Sequence, residues 1–183
     1  MYFNQNRTSN KTIYTVLISL LLGHLLFCRV TYPFLPAFIP VNFNADNTID
    51  MAQKSLSSWF SLFFVNLFLS LSLTVIAKSI FKIPLKYINL PNKKDFLKLP
   101  KQSKSKVLNT VFFHTMVITL TGVSILFILQ ITLFLLSTGQ LELFPNLILA
   151  FFTAVIFIEI FLMIIKTKRI VDDEIHKHNN SRL

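Results

Sequence analysis

Four apolar stretches, Ile13–Cys28, Ser58–Ala77, Val107–Leu136 and Leu143–Ile165, divide this chain of 183 residues, and nearly all its positive charge lies in alternate gaps between them. A hydrocarbon layer about 30 Å thick is crossed by a helix of about 20 apolar residues. Backbone groups in lipid must find their hydrogen bonds within the chain, and none of these runs alternates as a barrel strand would, so all four read as helices. The second and fourth reach spanning length directly. The first reaches it by taking in Thr12 and the stretch to Thr31, with Arg29 snorkelling outward. The third is overlong, which predicts a tilt or a projection beyond the bilayer. The expected fold is all-α: a polytopic membrane helix bundle with four transmembrane helices in two antiparallel hairpins. It forms a single integral membrane domain with spans at 12–31, 57–77, 107–136 and 143–166, a loop at 32–56, a basic loop at 78–106 and a tail at 167–183.

A net charge of +10 would by itself point to nucleic acid or an anionic membrane. Only 14% of the residues are charged, against about 25% in a soluble domain. The charges flank apolar spans instead of marking one face of a soluble fold, which selects the membrane and excludes nucleic acid as a partner. The single cysteine, Cys28, rules out an internal disulfide and reads as a small buried hydrophobe. Bulky Phe27 before it argues against a lipoprotein cleavage box. The segment Arg29-Val30-Thr31-Tyr32-Pro33 offers no small-x-small cleavage site, so the first run is expected to stay as an anchor.

Orientation follows from lysine and arginine. The N-terminal segment, the second gap and the tail together hold sixteen of these residues, and the first and third gaps hold two. Both termini and the lysine-rich loop are therefore expected in the cytoplasm, in the inner (plasma) membrane of a bacterium. Tyr32, Phe34, Trp59 and Phe60 fall at the outer boundary, where an interfacial aromatic belt would lie. Ser137-Thr138-Gly139-Gln140 is an outer turn, and Pro145 suits the first turn of the fourth helix.

The outer loop carries Pro33, Pro36 and Pro40, which forbid helix and favour a stiff, extended path. Phe34, Leu35, Phe38 and Ile39 would then rest on the membrane surface or on helix ends. Asn44-Ala45-Asp46-Asn47 reads as a turn. Asn44, Asp46, Thr48 and Asp50 have the oxygen spacing of a calcium loop, but Ile49 stands in place of the glycine and Ser55 in place of the bidentate glutamate, so the turn reading prevails. In the cytoplasmic loop Lys78, Lys82 and Lys86 would form one ridge on a helix continued from the second span until Pro84 disturbs it. The segment from Ile88 to Leu97 reads as a folded loop with apolar anchors. Its lysines would meet anionic lipid headgroups, each contributing about 1 kcal/mol.

These loops carry a pattern. Tyr32, Pro33, Leu35, Pro36, Pro40, Phe43, Asp50 and Lys54 match the Tyr-Pro-x-Leu-Pro…Pro-x-His-Phe…Asp…Lys loop of the family called domain of unknown function 1648, whose first two spans also occur in SdpI-type immunity proteins. Asn89-Leu90-Pro91-Asn92-Lys93, followed by Phe96-Leu97, is similar to the Asn-Ile-Pro-Asn-Lys…Trp-Leu segment of longer members. Asn42 replaces the usual histidine, Asn47 the usual glycine, and the tryptophan before the lysine is missing. The resemblance implies a bundle of membrane helices and no established catalytic activity.

Polar groups inside a span are functional candidates. Here they are His24, Asn66, His114, Gln130 and Glu159. At about 1.5 Å per residue, His114 and Glu159 fall at one depth in adjacent antiparallel spans, and His24 and Asn66 at another. Each is expected to form a pair. One reading makes the pairs part of a proton or ligand path. The other makes them interhelical hydrogen bonds, worth about 0.6 kcal/mol each. No phosphate loop, Gly-x-Ser-x-Gly or His-Glu-x-x-His motif supports an enzyme. His176 and His178 are expected in a solvated tail and not at a metal, and no cofactor is implied. The leading expectation is a non-enzymatic membrane protein of immunity, sensory or accessory type that meets a protein partner through its outer loop, with Pro36, Pro40, Asn42, Phe43, Asp46 and Asp50 as recognition residues. Asn89, Pro91, Asn92 and Lys93 form the corresponding cytoplasmic motif. The alternative is a small transporter or channel component using His24, His114 and Glu159.

Overall fold

Ser55 and Ser58 show how local chemistry sets an element boundary. The Ser58 amide donates to Ser55 Oγ at 3.0 Å and the Ser55 amide donates to Ser58 Oγ at 3.2 Å. This is a capping box in which serine replaces the usual glutamate, and it satisfies two helix-end donors. The Ser55 carbonyl then accepts the first helical bond from Trp59. The computed structural model describes residues 7–43, 49–87, 93–141 and 146–180. In chain order the elements are α1 (Arg7–Thr31), β1 (Phe38–Phe43), β2 (Ile49–Gln53), α2 (Leu56–Ser79), α3 (Lys93–Lys98), α4 (Lys101–Ser137) and α5 (Asn146–Asn180). Four of these helices, α1, α2, α4 and α5, are long and apolar enough to cross a membrane. The fold class is thus all-α, a polytopic membrane fold with a minor two-stranded sheet.

Several boundaries differ from the sequence reading. Helix α4 begins at Lys101, directly after Pro100, whose carbonyl accepts from the Lys104 amide. It therefore extends well before the apolar stretch. Helix α2 stops at Ser79, and the amides of Lys82 and Ile83 turn back onto the Ser79 carbonyl. Of the expected lysine ridge, only Lys78 lies on α2. The chain turns before Pro84 because this end is closed by its own carbonyl. Helix α4 ends on a Schellman motif: Gln140 donates to Leu135 O, Gly139 donates to Leu136 O, and Gly139 has φ 71°. Pro145 lies outside the described residues.

The proline-rich loop is the largest departure. Tyr32–Phe34 forms a short 3-10 turn, and the chain then pairs as an antiparallel hairpin, with Phe38 opposite Gln53 and Phe43 opposite Ile49. The register shifts between Pro40 and Asn42, leaving Val41 as the extra residue of a bulge. Pro40 has no amide to donate, and a bulge is where a strand tolerates that.

The chain divides into two compact units. The first takes Met1–Ser70 and Leu120–Thr153, and the second Leu71–Thr119 and Ala154–Leu183. The core of the first is Cys28, Leu35, Ile39, Trp59 and Phe63, with Leu133 and Phe134 packed on it. In the second, Phe96, Leu99, Val107 and Val171 cluster with Val111, Ile170 and Ile175. The segment after Lys166 is therefore not a free solvated tail: it continues α5 and buries Val171, since Ile170, Val171 and Ile175 give it an apolar face. Elsewhere the spanning helices expose large apolar side chains, such as Leu22 and Leu26 on α1, Phe68 on α2, and Phe157 and Phe161 on α5, as lipid-facing helices do.

Candidate functional site

The first unit places three functional candidates on three helices. His24 on α1 and Asn66 on α2 are fully buried, and Gln130 on α4 nearly so. Asn66 Nδ2 lies 3.0 Å from His24 Nδ1 and donates to the Val123 carbonyl at 3.1 Å. The His24 ring stacks on Phe127 at 5.0 Å between centroids and meets the edge of Phe63 at 5.5 Å. A Cβ at Gly23 would meet the Phe127 ring at 3.6 Å, an ordinary van der Waals contact, so this packing does not require glycine. The structure thus brings His24 and Asn66 together. It adds Gln130, which the sequence names as an intramembrane polar group but gives no partner.

The second unit holds the other pair. His114 Nδ1 on α4 and Glu159 Oε2 on α5 are 3.0 Å apart, with His114 4% and Glu159 23% exposed. An ionised carboxylate accepts from Nδ1–H, and a protonated one donates to the bare nitrogen. The arrangement can therefore hold one proton between two basic atoms.

Two hydrogen bonds that the sequence reading did not assign close the base of the hairpin and join the two helices that flank it. The Trp59 indole donates to the Cys28 carbonyl at 2.9 Å. That carbonyl belongs to the last turn of α1, where helical partners run out. Trp59 is 2% exposed, and its ring fills the core around buried Cys28. Lys54 Nζ donates to the Leu35 carbonyl at 2.9 Å and lies 5.2 Å over the Tyr32 ring. The four apolar residues of the loop separate cleanly: Leu35 and Ile39 are buried, while Phe34 is 70% and Phe38 59% exposed. Pro36 is exposed, Pro40 is buried, and Asp50 is exposed opposite Asn42. Asn42 and Phe43 lie on β1. Ser55, weighed above as the last position of a calcium loop, is the helix cap. Asn44, Asp46, Asn47 and Thr48 lie outside the described residues, as do Asn89, Pro91 and Asn92.

Lys93 opens α3, whose Phe96 is fully buried while Leu97 faces outward; Leu99 is the second anchor. Glu174 on α5 accepts from Ser103 Oγ at 2.6 Å and Lys106 Nζ at 2.8 Å, both near the start of α4. It lies beyond the apolar stretch. These two hydrogen bonds, Lys106 foremost, hold its carboxyl below the usual carboxylate range, against the opposing effect of burial. Sequence reasoning passed over it because Glu174 sits among Asp172 and Asp173 and nothing local marks it out. The signal was the apolar face of Ile170, Val171 and Ile175, which requires α5 to pack there.

The fold and its buried polar pairs define a polytopic helical membrane protein. Beyond that class the chain has no match among protein-family models, curated proteins or solved structures.

Proposed function

We propose that this is a non-enzymatic multi-pass membrane protein of immunity, sensory or accessory type, acting by protein contact through its first loop. One observation carries the reading: the hairpin is two-sided and pre-formed. Leu35 and Ile39 are buried on its inner side, Lys54 closes its base on the Leu35 carbonyl, and Trp59 joins the two helices that flank it. Phe34, Phe38, Val41 and Met51 stand exposed on a backbone that is already ordered. An ordered loop loses little freedom on binding, and exposed aromatic and Met side chains are the residues that anchor protein interfaces. The sixteen-to-two distribution of Lys and Arg supports a cytoplasmic location for both termini and an external one for the hairpin, in a bacterial plasma membrane. The relation to domain of unknown function 1648 belongs to this proposal and rests on the loop residues alone. On the other side, lysines of the second loop would lie against anionic headgroups.

A photo-crosslinker placed at Phe38 or Met51 in native membranes tests the reading. A discrete protein adduct, lost when the probe is moved to buried Ile39, supports it. Adducts to lipid alone from both exposed positions would overturn it.

A second reading is carried by the His114–Glu159 contact at 3.0 Å: a small proton or solute conductor. Flux into vesicles by the purified chain, abolished by Glu159→Gln, would favour it over the first.

A further inference from the structure

The Lys54 amide donates to the carbonyl of Ala37, the residue directly opposite, so these two form a hydrogen-bonded pair at the base of the hairpin. Antiparallel strands alternate hydrogen-bonded and non-hydrogen-bonded pairs. Ile39 and Ala52 are then a bonded pair, while Phe38 with Gln53 and Pro40 with Met51 are non-bonded pairs. Pro40, which has no amide, fits that assignment. Residues of a non-bonded pair point their amides and carbonyls away from the opposite strand. Met51 and Gln53 therefore direct theirs out of the far edge of β2, where they have no backbone partner among the described residues.

The two edges of this sheet are not equivalent. On β1 the outward position at Pro40 lacks a donor, Pro40 is buried, and the bulge at Val41 follows. On β2, Asp50, Met51 and Gln53 are all exposed, with no proline or bulged residue among them.

What fits the β2 edge is set by its own sequence. Turned about Ala52, the strand is complementary to itself in antiparallel pairing. Met51 falls opposite Gln53 of a second copy, and each such pair exchanges both of its hydrogen bonds, because both residues present outward groups. Ala52 meets itself at the axis, where a small side chain suits strands in close approach. Asp50 falls opposite Lys54 of the second copy, and opposite charges at facing positions attract. Moving the axis to Met51 or to Gln53 sets Asp50 against Ala52 or Leu56 and loses that match.

We propose that the chain forms a two-fold symmetric homodimer in which β2 pairs with β2 of a second copy, joining the two hairpins into one continuous sheet. A lone two-stranded hairpin is marginal, and added strands stabilise it. Copies sharing one membrane are related by an axis along its normal, and the axis of this pairing is normal to the sheet. The sheet then lies over the helix ends, with Leu35 and Ile39 on its underside, where they are buried with Cys28 and Trp59. This goes beyond recognition of an outside partner and requires none.

Oxidation of the full-length Ala52→Cys chain in native membranes tests the proposal. Across the axis the two Cα atoms would stand about 4.5 Å apart, within disulfide range, while Cys28 is buried. The expected product is a disulfide-linked homodimer, with none from Pro36→Cys, an exposed position of the same loop outside the paired edge. Adding Asp50→Lys should reduce the Ala52→Cys product. Absence of that product, or equal cross-linking at both positions, would overturn the proposal. Native mass spectrometry of the unmodified chain in mild detergent needs no variant: a dimer is expected, and monomer alone would also overturn it. An outside partner caught by the photo-crosslinker at Phe38 or Met51 gives an adduct of different mass, so the two readings stand or fall separately.

Discussion

The Trp59 indole nitrogen donates to the Cys28 carbonyl oxygen at 2.9 Å, which ties the start of α2 to the last turn of α1. Trp59→Phe keeps an aromatic ring but leaves that carbonyl only the longer bond from Thr31 Oγ1 at 3.5 Å, and should destabilise the protein by about 1–3 kcal/mol. Trp59→Ala also opens a cavity and should cost about 3–5 kcal/mol. Thermal unfolding in detergent measures both. The chain has one tryptophan, so blue-shifted emission from the native protein, moving red on unfolding, checks its burial directly.

Lys54→Met removes the donor to the Leu35 carbonyl and the cation over Tyr32. The hairpin should loosen by about 1–3 kcal/mol while the spanning helices stay intact. Hydrogen exchange at the Lys54 amide, which bonds the Ala37 carbonyl at 2.8 Å, should accelerate. Unchanged exchange there would show that the tether contributes nothing.

For the pair in the second unit, the hydrogen bond and the charge can be separated. Glu159→Gln keeps an acceptor for His114 and should change stability by about 0.6 kcal/mol. Glu159→Leu leaves a buried ring nitrogen unpaired and should cost about 1–3 kcal/mol. Unfolding in mixed micelles ranks the two, and equal effects would mean that the hydrogen bond is immaterial.

The Glu174 clamp gives a pH dependence with a definite sign. Its carboxyl is held below its ordinary range in the folded protein by Lys106 and Ser103. Its contribution is therefore fully present above the ordinary glutamate value of about 4.3. It is lost as pH falls through the lower folded value. Lys106 is largely exposed, so solvent screening keeps the effect small. Lys106→Met should lower stability slightly at neutral pH, leave it unchanged in acid, and so flatten the acid limb of the stability–pH curve.

Gly139 closes the Schellman motif at φ 71°, with no atom within 4 Å of where a Cβ would stand. Gly139→Ala should therefore cost only the left-handed backbone penalty, about 1–2 kcal/mol, without any clash. A shift of thermal midpoint much larger than that would indicate a packing role.

Much of the architecture was legible because lipid imposes it. An apolar run of spanning length has no alternative to helix, so the four long helices follow from Ile13–Cys28 and its counterparts. Depth along antiparallel helices was enough to bring His24 to Asn66 and His114 to Glu159. The hairpin was not legible. The bulge at Val41 breaks the period-two alternation of β1, and Ile49-Asp50-Met51-Ala52-Gln53 is a short strand of modest β-propensity. The burial of Trp59 was not legible, because a preference for the interface and use as a buried donor start from the same amphipathic ring. Gln130 and Glu174 depend on neighbours more than a hundred and about seventy residues away, which no local pattern encodes.

The cap formed by Ser55 and Ser58 has a consequence for the medium this protein can work in. The usual capping box relies on a carboxylate, which titrates in acid and whose attraction to the helix dipole fades in salt. Two hydroxyls do neither. The first turn of α2, and the loop anchored to it, should keep its geometry as acidity and ionic strength change. In the orientation proposed above, those are conditions the cell does not control.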